Sequence, residues 1–307
     1  MKKLTLVLSL VTNDNDYQRE QAKAAEDAAR QCGARLRILH ADNDAINQSQ
    51  QLLKCIQTES ERPDGIIMEP VGTALPQVAR AAAKAGVGWV VLNREVDYLS
   101  DLRGSINTPV FQVTPDQVEI GRLAGRQVAA LLPKGGCILY LQGPSSSSAA
   151  QQRAEGFMQT KPANIQVRMM RGAWTEESGY KAATAWLRLS TSHQVPIEAL
   201  VSQNDVMAIG ARNAIKEQAT GDERERWMSM AFLGCDGLPA TGQAWVRNGS
   251  LTATIYVPPT AGEAVTMMAR AIETGIIPPE RTVTPSKSYP ALEMLRPRVM
   301  SAVVGRK

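Results

Sequence analysis

Polar side chains suited to pairing with hydroxyl groups recur in this chain directly after short apolar runs. Asn13, Asn15 and Tyr17 follow the first run, Glu69 a later one, and the pair Asn93-Arg94 another. In the second half Gln142-Gly143, Trp174, Asn204-Asp205 and Asp236 hold the same kind of place, and Tyr256 is the last residue but one of the run "LTATIYV". Planar amides, carboxylates and guanidinium groups exchange paired hydrogen bonds with adjacent hydroxyls. An indole or phenol face covers the C–H face of a sugar ring. The set suits a small polyhydroxylated ligand. Pairing Glu69 and Asp236 with Arg94 and Arg153 would let such a site carry charges without burying an uncompensated one.

Each residue also has a plainer reading. Asn204 or Asp205 suits the cap of the helix "DVMAIGARNAIKE". Arg153 fits an exposed helix arginine, Trp174 a core residue, and Glu69 before Pro70 a solvated loop acid. Gly172 and the acidic "TEES" beside Trp174 argue for a loop there. The shared place of these residues makes the group a stronger signal than any one member.

Bond-breaking chemistry finds little support. The two histidines, His40 at the end of an apolar run and His193 in the polar stretch "STSHQVP", have no motif partner. G-x-S-x-G, H-E-x-x-H, G-x-G-x-x-G and G-x-x-x-x-G-K-[ST] are all missing from the sequence. Glu69 and Asp236 could form an acid–base pair of the kind glycosidases use, but hydrogen-bond acceptance is the preferred role. The four cysteines, Cys32, Cys55, Cys137 and Cys235, show no C-x-x-C spacing, so neither a metal site nor a redox pair is indicated. Buried free thiols are expected, which leans towards a reducing compartment. No cofactor is expected.

A length of 307 residues suits two packed domains better than one. With 44% hydrophobic and 21% charged residues the chain has an ordinary soluble balance. The net charge of +4 is not clustered into the basic stripe that nucleic acid would need. No apolar run approaches the ~20 residues of a membrane span. "MKKLTLVLSLVTNDND" starts like a signal peptide, yet no small-x-small site follows, and a first buried strand from Leu4 to Val11 is preferred.

The elements that must position these residues alternate. Strands are expected at "LTLVLSLV", "LRILH", "GIIME", "GWVVLN", "GCILYLQ", "IQVRMMR", "EALVSQ", "MAFLGC" and "LTATIYV", with helical stretches such as "QREQAKAAEDAARQCG" and "DQVEIGRLAGRQVAALL" between them. Gly33 and Gly86 stand where a left-handed helix cap needs glycine. Near-continuous apolar strands separated by helices indicate an α/β protein with parallel sheets covered on both faces. "SINTPVFQVTPDQ" reads as a crossover between two sets of strands, "IYVPPTAGEA" as a second, and the proline-rich "PPERTVTPSKSYPALEMLRP" as a third. In "LQGPSSSSAAQQRAEGF" a strand ends at Gln142, Gly143-Pro144 turn, and Ser145–Ser148 cap a helix that carries Arg153 towards the site.

Three blocks carry a family resemblance: "LQGPSSSSAAQQRAEGF", "SQNDVMAIGARNAI" and "LGCDGLPATGQAWVRNGSLTATI". In order and spacing, from "LTLVLSLV" to about "SKSYP", the chain resembles the type I periplasmic sugar-binding proteins of the ribose-binding group, whose superfamily includes LacI-type effector domains. The resemblance implies two Rossmann-like lobes with parallel sheets joined by a multi-strand hinge. Their spans would be 1–114 plus 258–285 and 115–257 plus 286–307. It implies sugar contacts from Asn15, Arg94, Arg153, Asn204 and Asp236, with Trp174 and Tyr17 as aromatic partners. It also implies a monomer without enzymatic activity that closes on its ligand in the periplasm and passes it to an ABC permease. A sensor role towards a signalling partner is the alternative. A cytoplasmic place stays open because the chain has no clear signal peptide, and a repressor is disfavoured because only three residues precede Leu4. Departures from the pattern bear on the ligand. The family's Asp-Arg pair is Asn93-Arg94 here, its Asn-Pro pair is Glu69-Pro70, and Tyr256-Val257 replaces an expected amide.

Overall fold

The computed structural model describes residues 3–72, 75–104, 108–189 and 196–298; His193 lies outside them. The chain forms two compact units. The first runs to Asp116 and adds Ser146–Ala149 and Pro258–Pro285; the second holds Gln117–Ser145, Ala150–Val257 and the chain from Ser286 onward.

The first unit is built on a six-stranded parallel sheet. Its strands are β1 (Thr5–Leu10), β2 (Arg35–His40), β3 (Gly65–Met68), β4 (Gly88–Leu92), β5 (Val110–Pro115) and β11 (Arg281–Thr284), in the order β11-β5-β4-β3-β1-β2. Strand side chains alternate between faces, so each apolar strand feeds two cores. Val7, Ile66, Met68, Trp89 and Val91 pack on one face with Leu52 and Ile56 of α2 (Ala45–Gln57) and Val78 and Ala82 of α3 (Pro76–Lys84). Leu6, Leu8, Ile67, Val90 and Phe111 pack on the other with Ala25 and Ala28 of α1 (Asp16–Gln31) and Val265 and Met268 of α11 (Ala261–Thr274). A short helix, α4 (Leu99–Gly104), precedes β5. Gly33 and Gly86 take φ of 66° and 73° just past α1 and α3, the left-handed caps anticipated from sequence.

One expectation needs correction. The segment read as a bare crossover contains β5, a fully buried strand between β4 and β11. Its prolines misled because they stand just before the strand, at Pro109, and at its last position, Pro115. They leave the N–H groups between them free for the ladder. Likewise "PPERTVTPSKSYP" holds β11 and a second short strand, β12 (Lys287–Tyr289).

The second unit holds a four-stranded parallel sheet, ordered β7-β6-β8-β9. The strands are β6 (Gly136–Gln142), β7 (Ile165–Arg171), β8 (Ile197–Ser202) and β9 (Ala231–Leu233). β10 (Thr254–Tyr256) pairs antiparallel with β12, and isolated parallel bridges join Leu233 to Ala253 and Asp236 to Tyr256. One face packs on α5 (Gln117–Leu131) and α6 (Ser148–Thr160), the latter belonging to this unit from Ala150 onward. The other packs on α7 (Glu176–Leu187), α8 (Asp205–Gln218) and α9 (Gly221–Met228), with α10 (Gly242–Arg247) ahead of β10.

Glycines set two close helix contacts here. A Cβ on Gly121 or Gly156 would lie 2.1 Å from the Arg153 carbonyl oxygen or 1.9 Å from that of Val118, so α5 and α6 touch backbone to backbone. Gly179 and Gly210 do the same for α7 and α8, at 2.2 Å from Met207 O and 2.0 Å from Glu176 O. Cys55, Cys137 and Cys235 are buried free thiols and Cys32 is half-buried. Among the described residues no helix is long and apolar enough to cross a membrane.

Gly156→Ala should lower stability by about 1–3 kcal/mol in urea denaturation, since the methyl group meets rigid backbone. Gly104→Ala, with open space around it, should be neutral or stabilising by less than about 1 kcal/mol. Burial also pushes the Cys235 thiol up to about 12. At pH 8 about one part in ten thousand is thiolate, so iodoacetamide should modify Cys32 in the native protein and leave Cys235 intact until denaturation.

Candidate ligand-binding site

In the first unit the polar residues after β1, β3 and β4 are organised around one carboxylate. Glu69 follows β3 and is buried; its Oε1 meets Arg94 Nη2 at 3.0 Å. Its Oε2 accepts from Gln18 Nε2 at 2.9 Å and from Asn93 Nδ2 at 3.1 Å. The side chains of Glu69 and Arg94 are 3% and 10% exposed, so the solvated loop acid considered from sequence is instead a buried ion pair. Such a pair holds only when its remaining lone pairs are satisfied, which the two amides do. Asn93 Oδ1 accepts from the Thr260 hydroxyl at 2.9 Å, and Gln112 Nε2 donates to the Arg94 carbonyl at 2.6 Å. Asn15 caps α1, its side-chain oxygen accepting from Gln18 N at 2.9 Å. Tyr17, in the first turn of α1, donates from its hydroxyl to Pro258 O at 3.2 Å. Gln18, Gln112 and Thr260 escaped the sequence reading. The available signal was the pair Gln18 and Gln21 on one face of α1, buried where an amphipathic helix would carry apolar residues.

In the second unit Arg153 is buried on α6 and is not the exposed helix arginine of its plainer reading. Its Nε donates to Gln117 Oε1 at 2.8 Å and its Nη1 to Gln203 O at 2.5 Å. The guanidinium carbon lies 5.7 Å from the centre of the Trp174 ring, within cation–π range. Trp174 is half-buried in the loop after β7, and the missing side chain of Gly143 makes its room: a Cβ there would come within 2.3 Å of the indole. Asn204 does cap α8, accepting from Met207 N at 3.0 Å, while its Nδ2 donates to the Trp174 carbonyl at 2.9 Å. The capping role and a place beside Trp174 are thus not exclusive.

Asp205 is the residue sequence left undecided. Its buried carboxylate accepts from the Thr254 hydroxyl at 2.6 Å and from Gly237 N at 2.7 Å. It fills the space where side chains of Gly234 and Gly242 would project, 2.0 and 2.1 Å from its oxygens. It thereby pins the loop that presents Asp236, whose amide donates to Ile255 O at 3.0 Å beside half-buried Tyr256. Gln203 closes the group, accepting from Gly143 N and donating to the Tyr140 hydroxyl, both at 2.9 Å. Burial raises the Tyr140 phenol well above its ordinary range, so it stays protonated and available as a donor or acceptor.

Backbone strain marks the same residues. Asn93, Trp174 and Asp236 take φ of 58°, 68° and 110°, three of the five positive values found at non-glycine residues among those described. Such conformations cost about 1–3 kcal/mol each and persist where surrounding contacts enforce them, often at ligand sites. Among the described residues no group of three or more His, Cys, Asp or Glu side chains could hold a metal ion. What each unit gathers is a set of hydrogen-bond donors and acceptors, with an indole in the second.

Residues 6–276 match a family described as periplasmic binding protein domain. The ribose import binding protein RbsB of Escherichia coli is 26% identical over 257 residues, covering 83% of this chain and 79% of that protein. The D-apiose import binding protein of Actinobacillus succinogenes is 24% identical over 277 residues, covering 88% and 83%. A solved galactofuranose binding protein shares the fold with a TM-score of 0.80 at 24% identity, over 93% of this chain and 94% of that one. With its two parallel sheets this is the type I fold, and the chain belongs to the periplasmic binding protein family, a family of binding proteins and not of enzymes.

Proposed function

We propose that this protein captures a small polyhydroxylated ligand, most simply a monosaccharide, and delivers it to an ABC-type permease from an extracytoplasmic, periplasmic position. The observation that carries the reading is the chemistry at the strand ends. Both units collect amides, carboxylates and a guanidinium there, and the second adds an indole beside Arg153. The import role of the ribose- and apiose-binding relatives supports the transport assignment. Asn15, Tyr17, Asn93 and Arg94 are the proposed ligand groups of the first unit, with Glu69 among them through Arg94. Arg153, Trp174, Asn204, Asp236 and Tyr256 are those of the second. The lobes are proposed as 1–114 with 258–285 and 115–257 with 286–307, acting as a hinged clamp without chemistry. Ligand favours the closed form by no more than its differential affinity for it.

A melting-temperature screen should single out a carbohydrate or polyol among pentoses, hexoses, polyols and small disaccharides. A shift produced by an amino acid alone would sink the assignment. For the ligand so found, Asp236→Ala should weaken binding about 10- to 100-fold by calorimetry, the range for a lost charge-assisted hydrogen bond. Unchanged affinity would remove Asp236 from the site.

A further inference from the structure

Glu69 has both carboxylate oxygens engaged inside the first unit, by Arg94 on one side and by Gln18 and Asn93 on the other. Its 3% exposure leaves it little surface to offer a ligand. Arg94 is the more exposed partner and is held by its ends, its guanidinium by Glu69 and its carbonyl by Gln112. The left-handed backbone at Asn93 turns the neighbouring amide onto the same carboxylate. Glu69 therefore does two things to Arg94: it fixes the direction of the guanidinium and cancels its charge.

We propose that Glu69 is the charge-selecting residue of this site, a positioning residue that acts through Arg94 to admit neutral polyols and turn away sugar acids. This rests on Arg94 being a ligand donor, as proposed above. A guanidinium is the side chain best matched to a carboxylate, binding it through two parallel hydrogen bonds. With the Glu69 carboxylate removed, the buried guanidinium would be better matched to an added anion than it is in wild type. With Glu69 in place, a ligand carboxylate must share the guanidinium with an internal one already bonded three ways, and meets its repulsion. Neutral hydroxyls meet neither obstacle and find the guanidinium already aimed.

The test compares wild type, Glu69→Gln and the double variant Glu69→Gln/Asn93→Asp, which returns a carboxylate to the adjacent position. Each is melted and titrated with ribose, galactose and myo-inositol, with galacturonate and glucuronate, and with acetate as a bare carboxylate, at low and high salt. Wild type should respond to neutral compounds only. E69Q should bind them at least tenfold more weakly and gain a salt-sensitive rise in melting temperature with acetate and the uronates. The double variant should lose that anion response. An E69Q protein with no anion response, or one whose response survives Arg94→Met, overturns the assignment. If E69Q cannot be purified folded, a folded double variant without an anion response supports the proposal and its failure to fold overturns it. Should no neutral compound shift wild type, the capture reading fails while the anion comparison still decides the role of Glu69.

Discussion

Parallel strand pairing is the constraint on which the rest of this protein depends. Strands that all run one way bring all their carboxyl ends to one edge, and there the ladder stops and side chains take over. In both units the hydrogen-bonding residues collect at that edge because the middles of the strands are closed to them. Leu6, Val90, Leu139 and Leu200 are buried on sheets covered from both sides. A polar group inside those layers would be desolvated without a partner. At the strand ends Glu69, Asn93, Asn204 and Asp205 find neighbours that satisfy them.

Two buried carboxylates show how differently that satisfaction is achieved. Asp205 is held by a hydroxyl and a backbone N–H, and by two glycines whose bareness makes its space. It is an acid used as a structural pin for the loop bearing Asp236. Glu69 is held by a cation and two amides, and the cation is the proposed ligand donor. The first arrangement orders backbone; the second orders a side chain and sets its charge. Both convert the cost of burying a carboxylate into the positioning of a neighbour.

Much of this was legible in the chain itself. Apolar runs marked most strands because both faces of a parallel sheet are buried, and Gly33 and Gly86 marked helix ends because only glycine takes left-handed φ cheaply. β5 was hidden by Pro109 and Pro115, which flank a strand in the same way they would break one. β11 and β12 were hidden because short strands among prolines carry too few residues for a pattern. Arg153 was singled out as a candidate from sequence, yet its burial depends on Gly121 and Gly156 drawing α5 and α6 together, which no local pattern reveals.

The sequence by itself determined the α/β class, the family, and the kinds of group that wait at the strand ends. These follow from local rules of alternation, capping and turn chemistry, and from motifs read in order. Tertiary structure alone decided which group each one meets. That Glu69 pairs with Arg94, that Asp205 pins the Asp236 loop and that Trp174 lies over Gly143 are contacts between residues 25 to 32 positions apart. Such partners are chosen by register and packing across strands, so their chemistry stays undetermined until the sheets bring them within hydrogen-bonding distance.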